Sequence, residues 1–479
     1  MAEQVISVGI DIGTSTTQLI FSRFTIENTA GIASVPRISI IDKQIIYESA
    51  IYITPLRSQT SIDEAAVREI IVKEYQRAGI DAGSVTTGAV IITGETARKE
   101  NAGIVLGAMS GLAGDFVVAT AGPDLEAVIA GKGSGASGLS LAEHRTTANL
   151  DVGGGTTNIA VFSEGEVKAS ACFDVGGRLI KLSEGSMTVE YVAPKLVKYC
   201  RDAGIPIEAG RAASKADLQK VCAWMANVLV ASLGFGDSAD LAFMATDHTL
   251  NYTDPELITF SGGVSNYIYD SPEGDFDSPE GDFPHGDVGA LLGREIRAAF
   301  AGVWGRARRP AQTIRATLIG AGMYSTELSG STITFDGVKL PLKNIPIIRL
   351  SPSEETLPPE DFARIVQTRL AWYRDEQGQS VAALSISGEH NISFDGMQQY
   401  ARRIALGMSP LSKAGLPLIV VVERDMAKAL GQALLLMLEK RQLVCIDSIS
   451  TSQGDYIDIG APLMGGRVLP VVIKTLVFN

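Results

Sequence analysis

The chain has 479 residues, 46% hydrophobic and 20% charged. At roughly 100–200 residues per domain this predicts about two to four domains with sizeable cores, and it excludes global disorder. The net charge of −13 excludes a broad nucleic-acid or anionic-membrane surface, but a local phosphate site survives, because backbone N–H groups and a metal ion can supply the positive field.

In chain order, Val5–Ile10 reads as a buried strand that breaks at Asp11-Ile12-Gly13, and Thr16–Phe21 as a second strand. Ser61-Ile62-Asp63-Glu64 is a capping box, and the helix it opens should stop at Gly79. Ala89–Thr93 and Phe116–Ala119 are short β-rich runs. Pro123–Ala130 has helical spacing and should end at the glycines 131, 133, 135 and 138. Ala148–Leu150 and Asn158–Phe162 are strands around a Gly triplet, Ser214–Leu233 is a long helix, and Leu257–Phe260 is a strand entering Ser261-Gly262-Gly263. A helix covers Gly286–Phe300. Past Pro310 the runs Thr313–Ile319 and Ile333–Leu342 are β-rich, Pro352–Glu360 reads as a linker, Leu418–Glu423 as a strand, Met426–Lys440 as a helix, and the tail alternates short strands and turns to Val471–Phe478. Residues 270–276 and 277–283 both read DSPEGDF. So polar and turn-rich a duplication reads as a lengthened surface loop rather than core, and it lacks the spacing of a calcium loop.

The four cysteines, Cys172, Cys200, Cys222 and Cys445, are scattered without a C-x-x-C, which argues against a disulfide framework or a zinc ribbon. The start MAEQVISVGIDIG lacks the basic flank and long apolar run of a signal peptide, and no apolar run reaches ~18 residues. A soluble cytoplasmic protein without membrane contact is expected. The histidines His144, His248, His285 and His390 show no zinc spacing, and Arg306, Arg308 and Arg309 read as a solvated helix end.

The chemistry is carried by a repeat. Asp11–Phe21, DIGTSTTQLIF, aligns with Asp151–Val161, DVGGGTTNIAV, starting 140 residues later. The Asp, the Gly two positions on, and the Thr pair coincide. Each segment joins two strands, so each is a hairpin with a Gly/Thr turn, and two of them imply similar half-domains facing a cleft. Gly lets backbone N–H groups approach a phosphate, the hydroxyls add donors, and a strand-end Asp can hold hydrated Mg²⁺. Either turn alone would be unremarked; the matched pair is the signal. Two other Gly patterns are decoys. Gly133–Gly138 spells a dinucleotide fingerprint but follows a helix rather than a strand. Gly131-Lys132 lacks the Ser or Thr that a Walker A loop requires, since Gly133 stands there.

With both hairpins in place the chain resembles the actin/Hsp70/sugar-kinase ATPase superfamily. Asp11–Phe21 and Asp151–Phe162 look like its two phosphate motifs, Asp124–Gly133 like its first connecting helix, Ile258–Val264 like its adenosine motif and Gly286–Arg297 like its second connecting helix. The resemblance implies an α/β, actin-like (ribonuclease H-like) duplicated ATPase core with a nucleotide cleft, binding ATP and Mg²⁺. Lobes are expected at 1–145 and 146–309, the second with an acidic insert loop at 270–283, followed by a further α/β region at 310–479. Ile92–Gly103, Ala121–Gly135, Thr317–Ile333 and Gly454–Leu476 extend the likeness to the ethanolamine ammonia-lyase reactivating factor family. That family implies a reactivating chaperone whose client lyase uses adenosylcobalamin. ATP opens the client, damaged cobalamin leaves and intact cofactor enters, so cobalamin is handled through the client. A cytoplasmic setting, in association with a bacterial microcompartment, goes with it. The duplicated heptapeptide departs from the family pattern, near the nucleoside site.

Within this resemblance Asp11 and Asp151 are the metal-organising and catalytic carboxylates. Gly13, Thr14, Ser15, Thr16, Gly153, Gly154, Gly155, Thr156 and Thr157 form the phosphate cradle, and Gly262 and Gly263 floor the adenosine site. Asp124 is expected to orient the attacking water, with Glu126 competing for the role; Glu95 reads rather as a helix N-terminus. Two alternatives stand beside the chaperone: a small-molecule kinase of the same fold, and a filament-forming actin relative, which the extra C-terminal residues disfavour. The region past 310 is expected to hold part of the lyase-binding surface.

Overall fold

The structure is a computed structural model and describes residues 2–13, 16–29, 38–58, 61–92, 101, 105, 123–183, 186–236, 239–270, 283–324, 326–329, 333–373, 381–451 and 455–475. The Phe116–Ala119 run and nearly all of the duplicated heptapeptide lie outside them, as does Glu95.

The first sheet is built from β1 (Glu3–Ile12), β2 (Thr16–Asn28), β3 (Ile38–Glu48), the two-residue β4 (Tyr52–Ile53) and β5 (Val85–Ile92). Its order is β3-β2-β1-β5, with β4 on the end of β2; β1 and β2 are antiparallel, β1 and β5 parallel. Strand alternation splits the side chains of β2: Leu19 and Phe21 face helix α1 (Glu64–Ala78), while Ile20 and Phe24 face the other side. Asp63 rather than Ser61 caps α1, its carboxylate accepting from the Ala66 N–H at 3.2 Å, because Ser61–Ile62 pair as a short strand. Gly79 ends the helix at φ 65°, as expected.

The second sheet repeats this plan. β6 (Thr147–Val152), β7 (Thr157–Ser163), β8 (Glu166–Phe173) and β9 (Leu257–Ser261) lie in the order β8-β7-β6-β9, again with an antiparallel hairpin at the centre and a parallel partner beside its first strand. One face packs on α3 (Lys215–Ser232) and α4 (Gly289–Ala299). Its other face, with Ala160 and Phe162, is covered by α2 (Pro123–Ser134). Helix α5 (Ala316–Tyr324) covers the first sheet in return, packing Leu318, Ile319 and Met323 on Ile20 and Phe24. Each lobe thus lends a helix to the join, giving two sheets with crossed helices between them and helices outside, the duplicated actin-like α/β plan.

The crossing corrects three expectations. Helix α2 does not stop at Gly131 but runs through Gly133, because a side chain there has no room: a Cβ on Gly133 would lie 1.9 Å from the Ala316 carbonyl oxygen, and one on Gly320 2.0 Å from that of Ile129. The β-branched run Thr313–Ile319 enters α5 rather than a strand, since its small residues are what the crossing accepts. Gly286–Arg297 is not the second connecting helix; α4 packs inside the second lobe against α3, and α5 is the helix that crosses α2.

From α5 the chain enters an eight-stranded sheet. It comprises β10 (Thr326–Leu328), β11 (Thr334–Asp336), β12 (Leu342–Arg349), β13 (Ala383–Ile386), β14 (Leu418–Val422), β15 (Leu443–Asp447), β16 (Asp455–Ile459) and β17 (Pro470–Thr475), in the order β10-β17-β16-β12-β13-β14-β15-β11. The four strands β12 to β15 are parallel and joined through α6 (Pro359–Leu370), α7 (Phe394–Gly407) and α8 (Ala427–Leu435). Leu418–Val422 is fully buried, as suits a central parallel strand. The expected linker at 352–360 is a capped turn: Ser351 and Glu354 form a capping box over Pro352–Glu355, and α6 opens on Pro359. This unit leans on the first lobe. Leu463 and Val468 pack with Val5, Ile26 and Ile38, the Met464 N–H donates to Glu3 at 2.8 Å, and Val472 joins Ala89 and Ile91. No helix among the described residues is long and apolar enough to cross a membrane.

Candidate functional site

A cleft of about 660 Å³ lies between the lobes. Asp11, Gly13 and Thr16 line one wall, Asp151, Gly153, Gly154, Gly155 and Thr156 the other, with Gly262 and Gly263 at one end. The two turns match bond for bond. Asp11 stands opposite Gln18 and Asp151 opposite Asn158; the Gly13 N–H donates to the Thr16 carbonyl at 2.8 Å and the Gly153 N–H to that of Thr156 at 2.9 Å. Thr14 and Ser15 lie outside the described residues.

The turns are held differently. Gly13 is clamped from β4: the Thr54 hydroxyl donates to its carbonyl at 2.8 Å and lies 3.1 Å from the Thr17 hydroxyl. The second turn is clamped by backbone, with the Gly177 and Arg178 N–H groups donating to the carbonyls of Gly153 and Gly154 at 3.0 and 2.7 Å. Thr157 is turned out of the cleft and donates to the Val175 carbonyl at 2.7 Å, so it supports the cradle rather than lining it.

Asp151 ends a buried polar ladder. Thr259 donates to Asn149, Asn149 to Ser261, and Ser261 to Asp151 at 2.6 Å, while Thr317 on α5 donates to its other oxygen at 3.3 Å. Burial pushes the Asp151 carboxyl above the ordinary carboxylate range, against the pull of the Ser261 and Thr317 hydrogen bonds. The same carboxylate thus touches β9 and the helix that covers the other lobe.

At the far end Gly262 has φ 86°, and a Cβ there would lie 2.4 Å from the Val152 carbonyl oxygen, so only glycine lets β9 end against β6. Tyr267 and His285 close this end, hydroxyl to Nε2 at 3.0 Å. Arg178 pairs with Asp287 at 3.3 Å, and the Asp287 carboxylate also accepts from the Gly289 N–H.

The structure does not bring Asp124 to the cleft. Its carboxylate accepts from Ser170 at 2.7 Å and faces His248 at 3.5 Å on the far side of α2. Glu126, two residues on and therefore on the opposite helix face, lines the cleft and is buried. Gln18 and Asn158 also line it; their amide oxygens are buried and find no hydrogen-bond partner among the described residues. Both were readable from the hairpin alignment, where a polar amide interrupts each apolar strand at the same offset. Thr54, Thr317 and Tyr267 carried no such signal. Arg306 and Arg309 remain solvated, as read, and make surface pairs with Asp254 and Asp270.

A family model described as ethanolamine utilisation protein EutA matches residues 3–479. Two relatives, each called ethanolamine ammonia-lyase reactivase EutA, come from Escherichia coli strain K12 and Salmonella typhimurium strain LT2. They are 37% identical over 487 residues and 38% identical over 490 residues, with 99% of this chain and of each relative covered. Among solved structures, ethanolamine utilization protein EutJ from Carboxydothermus hydrogenoformans overlaps 67% of this chain and 89% of its own at 17% identity and a TM-score of 0.33. The Aquifex aeolicus PPX-GPPA enzyme overlaps 66% and 99% at 14% identity and a TM-score of 0.41. Overlaps this loose say nothing further about the chain. On the family match and the two relatives, the chain belongs to the EutA family.

Proposed function

We propose that this member of the EutA family is an ATP-dependent reactivase of an adenosylcobalamin-dependent ethanolamine ammonia-lyase, working in the cytoplasm beside a bacterial microcompartment. The observation that carries the ATP half is the pair of phosphate turns, equal in register and closing bond, on opposite walls of one cleft. The client half is supported by full-length likeness to two proteins called ethanolamine ammonia-lyase reactivase.

The donor set fits Mg²⁺. Four described carboxylates line the cleft, Asp11, Glu126, Asp151 and Asp287, against one arginine, so a polyphosphate needs a cation to enter. Among the described residues no three His, Cys, Asp or Glu side chains gather as a direct ligand set. What the cleft offers is two strand-end carboxylates and two amide oxygens, all oxygen donors, which suits an ion that keeps most of its water. Asp11 and Asp151 would hold it through water, and when bound it would neutralise charge on the phosphates. The turns at Gly13–Thr16 and Gly153–Thr156 grip the phosphates from both sides, and Gly262 and Gly263 take the nucleoside. Glu126 replaces Asp124 as the residue that orients water and takes its proton as the water oxygen bonds to the terminal phosphorus and the bond to the leaving diphosphate breaks.

The cleft walls belong to different bodies. The C-terminal unit packs on the first lobe through Val5, Ile26 and Val472, so cleft closure would move the second lobe against both together. The C-terminal unit is the part proposed to hold the lyase. The test is recovery of an inactivated lyase–cobalamin complex given ATP, Mg²⁺ and fresh adenosylcobalamin. Recovery should require this protein and hydrolysable ATP. Equal recovery without either would overturn the proposal.

A further inference from the structure

The first phosphate turn has an anchor that lies outside the cleft. Strand β4 has two residues and cannot fix its own place. It nevertheless carries the clamp, since Thr54 follows it and donates to the Gly13 carbonyl, and Ile53 and Tyr52 pair with Thr16 and Thr17 of the turn. Ile51 and Ile53 line the cleft, so Tyr52, between them, points the other way. Its hydroxyl donates to Glu74 of α1 at 2.5 Å. Glu74 is fully buried. It also accepts from Tyr47 at 2.8 Å and from Arg77 at 2.8 Å, and Arg77 in turn donates to the Tyr52 hydroxyl at 2.8 Å. Burial opposes the Glu74 charge, but these three donors hold its carboxyl below the usual range.

A buried carboxylate is a costly way to fill a core position that an apolar side chain could fill. What it adds is direction: charge-assisted hydrogen bonds are short and fix the donor's position. The donor fixed here belongs to the strand that clamps the turn. In the second lobe the same task falls to the backbone N–H groups of Gly177 and Arg178.

We propose that Glu74 is a positioning residue for nucleotide binding, acting through Tyr52 and β4 on Thr54 and Gly13. This rests on the cleft being a nucleotide site. Two hydroxyls on one carboxylate make the test. Tyr47 sits on β3 opposite Phe21, away from the turn, whereas Tyr52 sits on the clamping strand. Tyr52→Phe and Tyr47→Phe each remove one hydroxyl from Glu74 and should lower the melting temperature by similar amounts. Binding of a fluorescent ATP analogue with Mg²⁺ to the full chain should separate them. Tyr52→Phe should weaken binding roughly tenfold, the scale of a small misplacement of a binding group, and Tyr47→Phe by less than about twofold. Glu74→Gln, which keeps the volume, should follow Tyr52→Phe. If the parent protein binds no nucleotide, the nucleotide site itself is wrong. If the parent binds and the two tyrosine variants bind alike, or Glu74→Gln binds like the parent, Glu74 has only a structural part and the proposal is overturned.

Discussion

The two phosphate turns share a sequence pattern, a register and a closing hydrogen bond, yet they sit in different surroundings. The second is enclosed: Asp151 is buried at 6% exposure, bonded to Ser261 and Thr317, with the turn clamped by main chain from the Gly176-Gly177-Arg178 loop. The first is held by the Thr54 hydroxyl and by the pairing of Ile53 and Tyr52 with Thr16 and Thr17, all carried by a short segment that α1 anchors. A main-chain N–H survives every substitution except proline, whereas a side-chain hydroxyl is lost with its residue. The second lobe therefore offers a rigid half-site and the first an adjustable one, and the four experiments below press on that difference.

The largest effect should come from Asp151. Asp151→Asn keeps the shape but removes the charge that would organise the metal, and turnover of ATP should fall on the order of 100-fold or more. Stability should move the other way. The raised carboxyl means that the folded, nucleotide-free protein holds this proton more tightly than the unfolded chain does. Its contribution is full below the ordinary value of 3.8 and is lost as the pH rises through the raised one. The asparagine variant should thus melt no lower than the parent at pH 7, and any advantage should shrink as the pH is taken down towards about 4. A melting temperature well below the parent's at pH 7 would mean that the charged carboxylate stabilises the second lobe.

Glu126 and Asp124 come next. They are neighbours on α2 with opposite outlooks, one into the cleft and one towards Ser170 and His248. Glu126→Gln should cost roughly 100-fold in turnover with nucleotide binding kept, the usual range for a general base. Asp124→Ala should stay within about threefold, because it breaks only half-exposed surface contacts. The reverse order would restore Asp124 to the role first read from sequence.

A smaller contrast separates the clamps. Thr54→Val removes a buried donor from the Gly13 carbonyl and should cost about 1–2 kcal/mol in stability. Because this hydroxyl fixes the Gly13 carbonyl, nucleotide affinity should fall several-fold as well. Thr157→Val removes a comparable donor from the Val175 carbonyl at a similar stability cost. Its turn keeps both main-chain clamps, so affinity should hold. Denaturant melts paired with nucleotide titrations give both readings; equal affinity losses would erase the distinction between the lobes.

How far the sequence carried depended on whether a feature was local. The hairpins were legible because a strand, a Gly turn and a Thr pair are encoded within eleven residues, and their repetition exposed the duplicated core. Gln18 and Asn158 stand in the same alignment, but an amide within a strand carries no phosphate signal of its own. The crossing of α2 and α5 was not legible, because Gly133 reads as a helix end until the partner helix that needs it, and needs Gly320 in return, is known. For the same reason Thr313–Ile319 looked like a strand. Motif position favours Asp124 over Glu126, but which of two acids two residues apart faces a cleft depends on helix phase. Thr54 and Glu74 act on the turn from 41 and 61 positions further along the chain than Gly13, across pairings that no local pattern announces.

The smallest effect should come from the duplicated heptapeptide. Its ends are fixed at the nucleoside side of the cleft: Asp270 pairs with Arg309, and past the second copy His285 meets the Tyr267 hydroxyl. Those anchors belong to the second lobe, the rigid half-site, and neither depends on loop length. Closure entropy grows only with the logarithm of length, so removing seven residues from a connection of this size changes it by well under ~1 kcal/mol. Deleting one DSPEGDF copy should leave the melting temperature within about 2 °C and ATP turnover within about twofold. The same deletion also removes three acidic residues from a chain whose cleft is itself acidic. At physiological salt their field on the nucleotide is screened within about 8 Å, so any gain in nucleotide affinity should appear only at low ionic strength. A clear loss of turnover at physiological salt would show that the repeat contacts nucleotide or closes over it, and the second lobe's half of the site would then be less rigid than its main-chain clamps make it.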